Sequence, residues 1–254
     1  MAKLPTDPRL MERMVVDVAA AAFKNARALL TSAQAVLDAH QWPASFSFGA
    51  LALEEVGKAA MCMMMLAMPP TVPEEFRSGF DKAFTNHQAK AEFAHLVLGM
   101  FADEVPASLQ QLMDDAIASA RQTNNVKFRG LYVDYTDTGA LLEPDTVVNE
   151  SQARWMVTAV TTALAWSNPV EAAVAEPDIY LDFVHQWQDG VDFDALGAYV
   201  TASPDQFIAH IRALARDDVP PPTLFLGIAL AEQLTAANAS ASLPARKDPR
   251  PTDG

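Results

Sequence analysis

The chain has 254 residues, of which half are hydrophobic, and a formal net charge of −14 at pH 7. That length and apolar content suffice for one large domain, or for one domain with an appendage. The acidic balance excludes a broad basic face of the kind that holds duplex DNA or long RNA, although a small local anion site remains compatible with it. The single cysteine, Cys62, excludes internal disulfides and a cysteine-based zinc site, and is typical of a reducing compartment.

Membrane and export signals are missing from the sequence. The N-terminal residues lack the apolar core of a signal peptide. The longest uncharged apolar run, Ala59 to Met68, has only half the length needed to cross a bilayer. We therefore expect a cytoplasmic protein without membrane contact.

Apolar residues at helical spacing, separated by prolines, predict four helices in the first half of the chain. They run from Pro8 to about Gln41, from Pro43 to Pro69, from about Pro73 to Ala102, and from Pro106 to about Val126. The connections are short enough for antiparallel neighbours, so the pattern predicts an all-α four-helix bundle.

The second predicted helix carries three charges in an otherwise apolar run. Lys58 follows Glu54 by four residues and Glu55 by three, a spacing that predicts ion pairs from Lys58 to both carboxylates. The set is either an internal ion pair that fixes helix register or a charged pocket with a function. Gly57 lowers helix propensity, which indicates that another group approaches the backbone there.

The third predicted helix places His87 within its apolar stripe and Lys90 on the flank of that stripe. We expect His87 and Lys90 to converge with Glu54 or Glu55 and with Lys58 between the second and third helices. The alternative is that His87 is an ordinary core histidine.

Residues 129–145 alternate in polarity and contain turn formers, which predicts an extended loop or a small hairpin. Arg129, Tyr132, Asp134 and Tyr135 lie close together in it, as binding groups carried on a loop often do. A structural strap whose tyrosines pack on the bundle is the alternative. Helix is predicted again from about Ser151 to Trp166, ending at Asn168 and Pro169.

Beyond the bundle, which we assign to residues 1–168, the pattern predicts a helical extension over 169–240 and a disordered tail over 241–254. Short helices are predicted at 177–189, 192–201, 203–216 and 223–239.

Known nucleotide and hydrolase motifs are missing from the sequence. It has no phosphate loop, dinucleotide fingerprint or serine nucleophile elbow, and we expect no cofactor and no metal. The remaining polar set allows metal-free RNA cleavage, with His87 as general base and Arg129 or Lys90 stabilising the phosphate charge. The same set allows binding of a phosphate or a partner without catalysis.

Four sequence blocks in order resemble the AbiV family of bacterial abortive-infection proteins, which belongs to the HEPN superfamily of helical bundles. They are Lys-Asn-Ala-Arg-Ala-Leu-Leu from Lys24, Ala-Leu-Glu-Glu-Val-Gly-Lys-Ala from Ala52, Asn-His-Gln-Ala-Lys from Asn86, and Arg-Gly-Leu-Tyr-Val-Asp-Tyr from Arg129. The resemblance covers about residues 10–165. It implies phage defence by arrest of the infected cell, and a homodimer.

Many HEPN relatives are ribonucleases in which an arginine precedes a histidine by four to six residues. No arginine of this chain does so, since the nearest, Arg77, precedes His87 by ten. This departure favours a protein that binds a phage-encoded or host protein through Arg129, Tyr132, Asp134 and Tyr135 and so blocks translation. The alternatives are a metal-free ribonuclease that acts on RNA and a non-catalytic structural scaffold.

Overall fold

The computed structural model describes residues 4–67, 74–101 and 108–190, which fold as α-helices with one two-stranded hairpin. The predicted all-α class is confirmed. The elements are α1 (Pro8–Asp38), α2 (Trp42–Leu66), α3 (Glu74–Thr85), α4 (His87–Phe101), α5 (Leu109–Leu131), β1 (Asp134–Tyr135), β2 (Leu141–Leu142), α6 (Pro144–Val147), α7 (Glu150–Val174) and α8 (Pro177–Gly190).

Helix α2 lies at the centre of the bundle. It is apolar around most of its circumference, and such a helix is stable in water only when other elements cover all of its sides. Helices α1, α4, α5 and α7 each pack against it, and Leu53, Val56 and Met61 of α2 are almost fully buried. A turn over residues 39–41 reverses the chain between α1 and α2, with His40 in the left-handed region at φ 59°. These two helices therefore form an antiparallel pair.

The predicted third helix is two helices, because Asn86 interrupts it. The Asn86 side chain accepts a hydrogen bond from the backbone N–H of Gln88 at 2.9 Å, which is the geometry of an N-cap. The apolar periodicity continues across this break, so spacing alone did not predict it. In consequence His87 is the first residue of α4 and lies at the positive end of that helix.

Helix α5 extends further than predicted, ending at Leu131 instead of about Val126. Arg129 therefore lies in the last helical turn and not on the loop, which corrects that prediction. The extra turn is held against the start of α2, where the Ser47 hydroxyl lies 3.3 Å from the carbonyl oxygen of Lys127. A β-carbon on Gly130 would lie 3.2 Å from the same hydroxyl oxygen, so the two helices meet closely there.

Helix α7 continues through Pro169, although a proline inside a helix costs about 3 kcal/mol. The predicted end at Asn168 is wrong, and the predicted domain boundary at residue 168 falls inside this helix. Tertiary contacts on both sides of the proline offset the cost. Arg27 of α1 donates to the Asn168 side chain at 2.6 Å and to Glu171 at 2.7 Å, while Val170 is buried.

Helix α8 confirms the short helix predicted at 177–189 and packs on α1 and α2. The buried Tyr180 hydroxyl donates to the sulfur of Met63 at 3.2 Å, and His185 contacts the buried Glu12 at 2.8 Å. The helices predicted at 192–201, 203–216 and 223–239, with the tail at 241–254, lie outside the described residues. Within the described ranges no helix is long and apolar enough to span a membrane.

Gly57 marks the closest approach of α4 to α2. A β-carbon built on Gly57 would lie 1.9 Å from the carbonyl oxygen of Lys90 and 3.0 Å from the backbone nitrogen of Ala94. Both neighbours are backbone atoms, so a side chain at this position would displace the whole of α4. The prediction that some group approaches the backbone at Gly57 is confirmed.

We predict that Gly57→Ala destabilises the fold by about 3 kcal/mol, because α4 must move away from α2 to accommodate the methyl group. Gly79→Ala is the matched control, since Gly79 lies in α3 with open space around its α-carbon. That change should be neutral or should stabilise by up to about 1 kcal/mol through helix propensity. Thermal or urea unfolding of both variants measures the difference, and similar unfolding curves would contradict the close contact.

Candidate functional site

A buried carboxylate forms the centre of a polar cluster in the bundle. Glu54 projects from α2 with its side chain 3 % exposed, and three cationic or protonatable groups surround it. Lys127 of α5 forms a direct ion pair with Oε1, His87 Nδ1 lies 2.5 Å from Oε2, and Lys90 Nζ lies 3.9 Å from Oε2. We call Glu54, His87, Lys90 and Lys127 the polar cluster.

The predicted convergence between the second and third helices holds for Glu54, His87 and Lys90. The predicted role of Lys58 is wrong in one respect, because Lys58 pairs at 2.5 Å with Glu55 and no contact with Glu54 is seen in the described part of the chain. Successive helical residues differ by about 100°, so Glu54 points inward while Glu55 lies at the rim, where Lys58 pairs with it. Their side chains are 14 % and 20 % exposed.

Sequence reasoning missed Lys127, which is the most buried partner of Glu54. The residue lies in a polar stretch near the end of α5, where nothing in the composition marks it as internal. Helical spacing contained the signal, since Lys127 follows the buried Ala116, Ala120 and Thr123 at intervals that keep one face. A lysine that continues a stripe of small residues indicates an internal cation.

His87 has an environment that suits proton transfer. Its side chain is 52 % exposed, yet its Nδ1 is held by the buried Glu54 carboxylate. A carboxylate on Nδ1 fixes the tautomer and ring orientation, which leaves Nε2 as an acceptor toward solvent. The arrangement is that of a general base, His87, oriented by a carboxylate. When His87 is protonated, the same arrangement can hold an anion.

Lys90 is buried, and its ammonium donates no hydrogen bond to any residue in the described ranges. Burial lowers the pKa of Lys90 from its usual value. The carboxylates of Glu54 and Glu55 oppose that lowering, whereas the positive charges of Lys58 and Lys127 add to it. Unlike Lys127, Lys90 makes no direct contact with the Glu54 carboxylate.

A second set of polar side chains lies between α4 and α5. The Asn124 amide donates to Gln88 at 2.9 Å, and Gln88 donates to Glu92 at 3.0 Å, while the buried Asn124 oxygen has no partner in the described part of the chain. One turn away, His95 shares a hydrogen bond with Thr123 at 3.0 Å. Burial lowers the pKa of His95 to about 4, so this histidine is neutral near pH 7 and structural in character.

Metal ligands are not grouped in the described ranges, since no three His, Cys, Asp or Glu side chains there are arranged to hold an ion.

The predicted loop residues form a separate surface. A small hairpin pairs Asp134 with Leu142 and Tyr135 with Leu141, with a turn at Gly139. Around it the apolar and aromatic side chains are exposed, which we call the hairpin surface: Phe128, Leu131, Tyr132, Val133, Tyr135 and Leu141. Tyr132 is 63 % exposed and Tyr135 is 69 % exposed, so neither packs on the bundle as a strap would require.

Arg129 is exposed beside the hairpin surface and does not join the polar cluster. It follows Lys127 by two residues, which places the two side chains about 200° apart around α5. His87 and Arg129 of one chain therefore belong to different sites. Tyr132, Asp134 and Tyr135 likewise lie outside the polar cluster.

The fold and the cluster together define a HEPN-like helical bundle whose central helix carries an internal carboxylate. The chain belongs to the AbiV family, because the HEPN family model described as AbiV matches residues 14–165, from within α1 to within α7. Membership supports a role in abortive-infection phage defence. No curated protein and no solved structure matches the chain.

We predict that Lys127→Met lowers the free energy of unfolding by about 3–5 kcal/mol, because it leaves the Glu54 carboxylate buried without its closest ion pair. Lys58→Met is the control and should cost less than Lys127→Met, since the Glu55 carboxylate that it leaves unpaired is 14 % exposed, against 3 % for Glu54. Urea unfolding compares the two.

A double variant, Glu54→Leu with Lys127→Met, tests the cause of that loss. It should recover most of the stability lost in Lys127→Met, because replacing both members of a buried pair by apolar groups is often neutral. Equal losses for Lys127→Met and Lys58→Met would show that the interior position of Lys127 has no energetic weight.

Proposed function

We propose that this protein arrests phage development by binding a phage-encoded or host protein through the hairpin surface, with a block of translation as the result. The observation that carries the proposal is the concentration of exposed aromatic and apolar side chains between Phe128 and Leu141. Soluble monomers rarely expose such a group of side chains without a binding role. Tyrosine is also enriched among the residues that dominate binding energy at interfaces.

Charge around the hairpin surface favours a protein partner over RNA. Four exposed carboxylates border it, from Asp134, Asp137, Glu143 and Asp145, whereas Arg129 is the one cationic residue between 128 and 145. A phosphate backbone would be repelled by this rim. We therefore expect a partner that presents an apolar patch bordered by Lys or Arg, whose charges complement the carboxylates.

We predict that Tyr132→Ala combined with Tyr135→Ala abolishes protection against phage and releases the captured partner, because both rings would be buried at the interface. The melting temperature should stay within about 2 °C of wild type, because exposed side chains contribute little to the fold. Ile179→Ala is the control, since Ile179 on α8 is 70 % exposed and lies away from the hairpin. Plaque counts and mass spectrometry of proteins retained from infected-cell extract provide the readout.

Full protection by the double tyrosine variant would contradict the proposal. The same preparations should be run on a sizing column. If the wild type forms a dimer and the double tyrosine variant does not, the occupant of the hairpin surface is a second copy of the chain and not a phage or host protein.

The Glu54 and His87 contact supports a second candidate function, a metal-free ribonuclease. His87 would act as general base toward a ribose 2′-hydroxyl, with Glu54 orienting its ring. Since Arg129 lies in the other site, the charge of the transition state would have to be stabilised by Lys90 instead. The scaffold alternative assigns the polar cluster to stability alone.

We predict for this candidate that His87→Gln reduces RNA cleavage at least about 100-fold in the presence of EDTA, since a glutamine cannot take up the proton. The fold should be retained because His87 is half exposed. Labelled total RNA incubated with wild type and variant, with and without phage extract, gives the measurement. Wild-type protein that protects cells while leaving all RNA intact would eliminate the ribonuclease. Full protection and unchanged cleavage by His87→Gln would exclude His87 as the general base.

A further inference from the structure

The polar cluster has more positive than negative charge. Glu54 provides one carboxylate, and two lysines face it from α4 and α5. Glu55 does not correct the balance, because its charge is matched by Lys58 at 2.5 Å. The N-terminus of α4, which begins at His87, adds the positive end of a fifteen-residue helix dipole. Protonation of His87 would raise the excess further.

The two lysines differ in how well their charges are accommodated. Lys127 is in direct contact with Glu54 Oε1 and also lies 4.6 Å from the centre of the Phe128 ring. Lys90 lies 3.9 Å from Oε2, beyond hydrogen-bond distance, and its ammonium has three donors. None of those donors is used within the described residues, although the side chain is only 9 % exposed. A buried cation with unused donors is a strong attractor for an anion.

His87 is the most exposed member of the polar cluster. The histidine belongs to the first turn of α4 and is 52 % exposed, whereas Glu54, Lys90 and Lys127 lie behind it in the interior. His87 is therefore the member of the polar cluster that an incoming group can contact most readily from solvent. When His87 is protonated, its Nε2–H is a donor, and an oxyanion with several acceptor oxygens can then accept from His87 and Lys90 at once.

We propose that the polar cluster is a binding site for a phosphate-type oxyanion, held between His87 and Lys90 at the N-terminus of α4. The site does not depend on capture of a protein at the hairpin surface, and binding there requires no cleavage. The anion could be free phosphate, the phosphate of a nucleotide, or a phosphate of an RNA strand. All three provide the same tetrahedral group of acceptor oxygens.

Isothermal titration calorimetry on the full chain tests this with sodium phosphate, against sodium chloride of equal ionic strength. Wild type should show a saturable heat with phosphate alone. Lys90→Met should weaken phosphate binding at least 10-fold, while Lys82→Met, at an exposed position in α3, should leave it unchanged. His87→Gln, at a half-exposed position, provides a second variant in case Lys90→Met does not fold, and it too should weaken binding.

Separate titrations with adenosine monophosphate and with a short single-stranded oligoribonucleotide distinguish the sources. The compound that binds most tightly, with the same dependence on Lys90, identifies the class of phosphate compound that the site prefers. If no phosphate compound gives a heat beyond that of chloride, or if Lys90→Met and His87→Gln bind as wild type does, the proposal is wrong. Neither result bears on capture at the hairpin surface, which the tyrosine variants test separately.

Discussion

Glu54 is a buried carboxylate on α2, a helix that is otherwise apolar on nearly every side. The arrangement of the bundle follows from the need to pair this charge. A carboxylate buried without partners would cost several kcal/mol, more than a typical domain can lose without a large drop in stability. Its own helix cannot provide the partner, because Lys58 is directed to Glu55 at the rim. The partners must come from α4 and α5, where Lys127 provides an ion pair and His87 a contact through Nδ1. The register of both helices against α2 is thereby fixed.

Gly57 makes that arrangement possible. One turn after Glu54 (i+3), the absence of a side chain lets the backbone of α4 approach α2 so closely that the Lys90 carbonyl occupies the space of a β-carbon. This approach brings the first turn of α4, with His87 and Lys90, within reach of a short glutamate side chain. The Glu-Glu-Val-Gly-Lys sequence therefore combines two features. One is a charge directed inward, and the other is a residue without a side chain, which lets α4 bring His87 and Lys90 close to that charge.

The sequence could predict the central part of the fold because its signals are local. Prolines and apolar spacing defined α1 and α2, and the helical faces of Glu54, His87 and Lys90 predicted their meeting. The errors arise where tertiary contacts outweigh local preference. Arg27 holds α7 together across Pro169, and Ser47 holds the last turn of α5 that carries Arg129 away from the loop. Lys127 was missed because the polar residues around it obscure the buried stripe of Ala116, Ala120 and Thr123 that it continues.

Lys127 and Phe128 connect the two candidate sites. The ammonium of Lys127 is paired with Glu54 inside the bundle, and it also lies 4.6 Å from the Phe128 ring, which belongs to the hairpin surface. A partner that buried the Phe128 ring would change the surroundings of this ammonium. Lys90 and His87 face the same carboxylate, so a weaker Lys127 contact would leave more of the Glu54 charge to be balanced by these two residues. If the hairpin surface and the polar cluster bind as proposed, occupancy of one would alter the affinity of the other through this side chain, and the effect would be reciprocal.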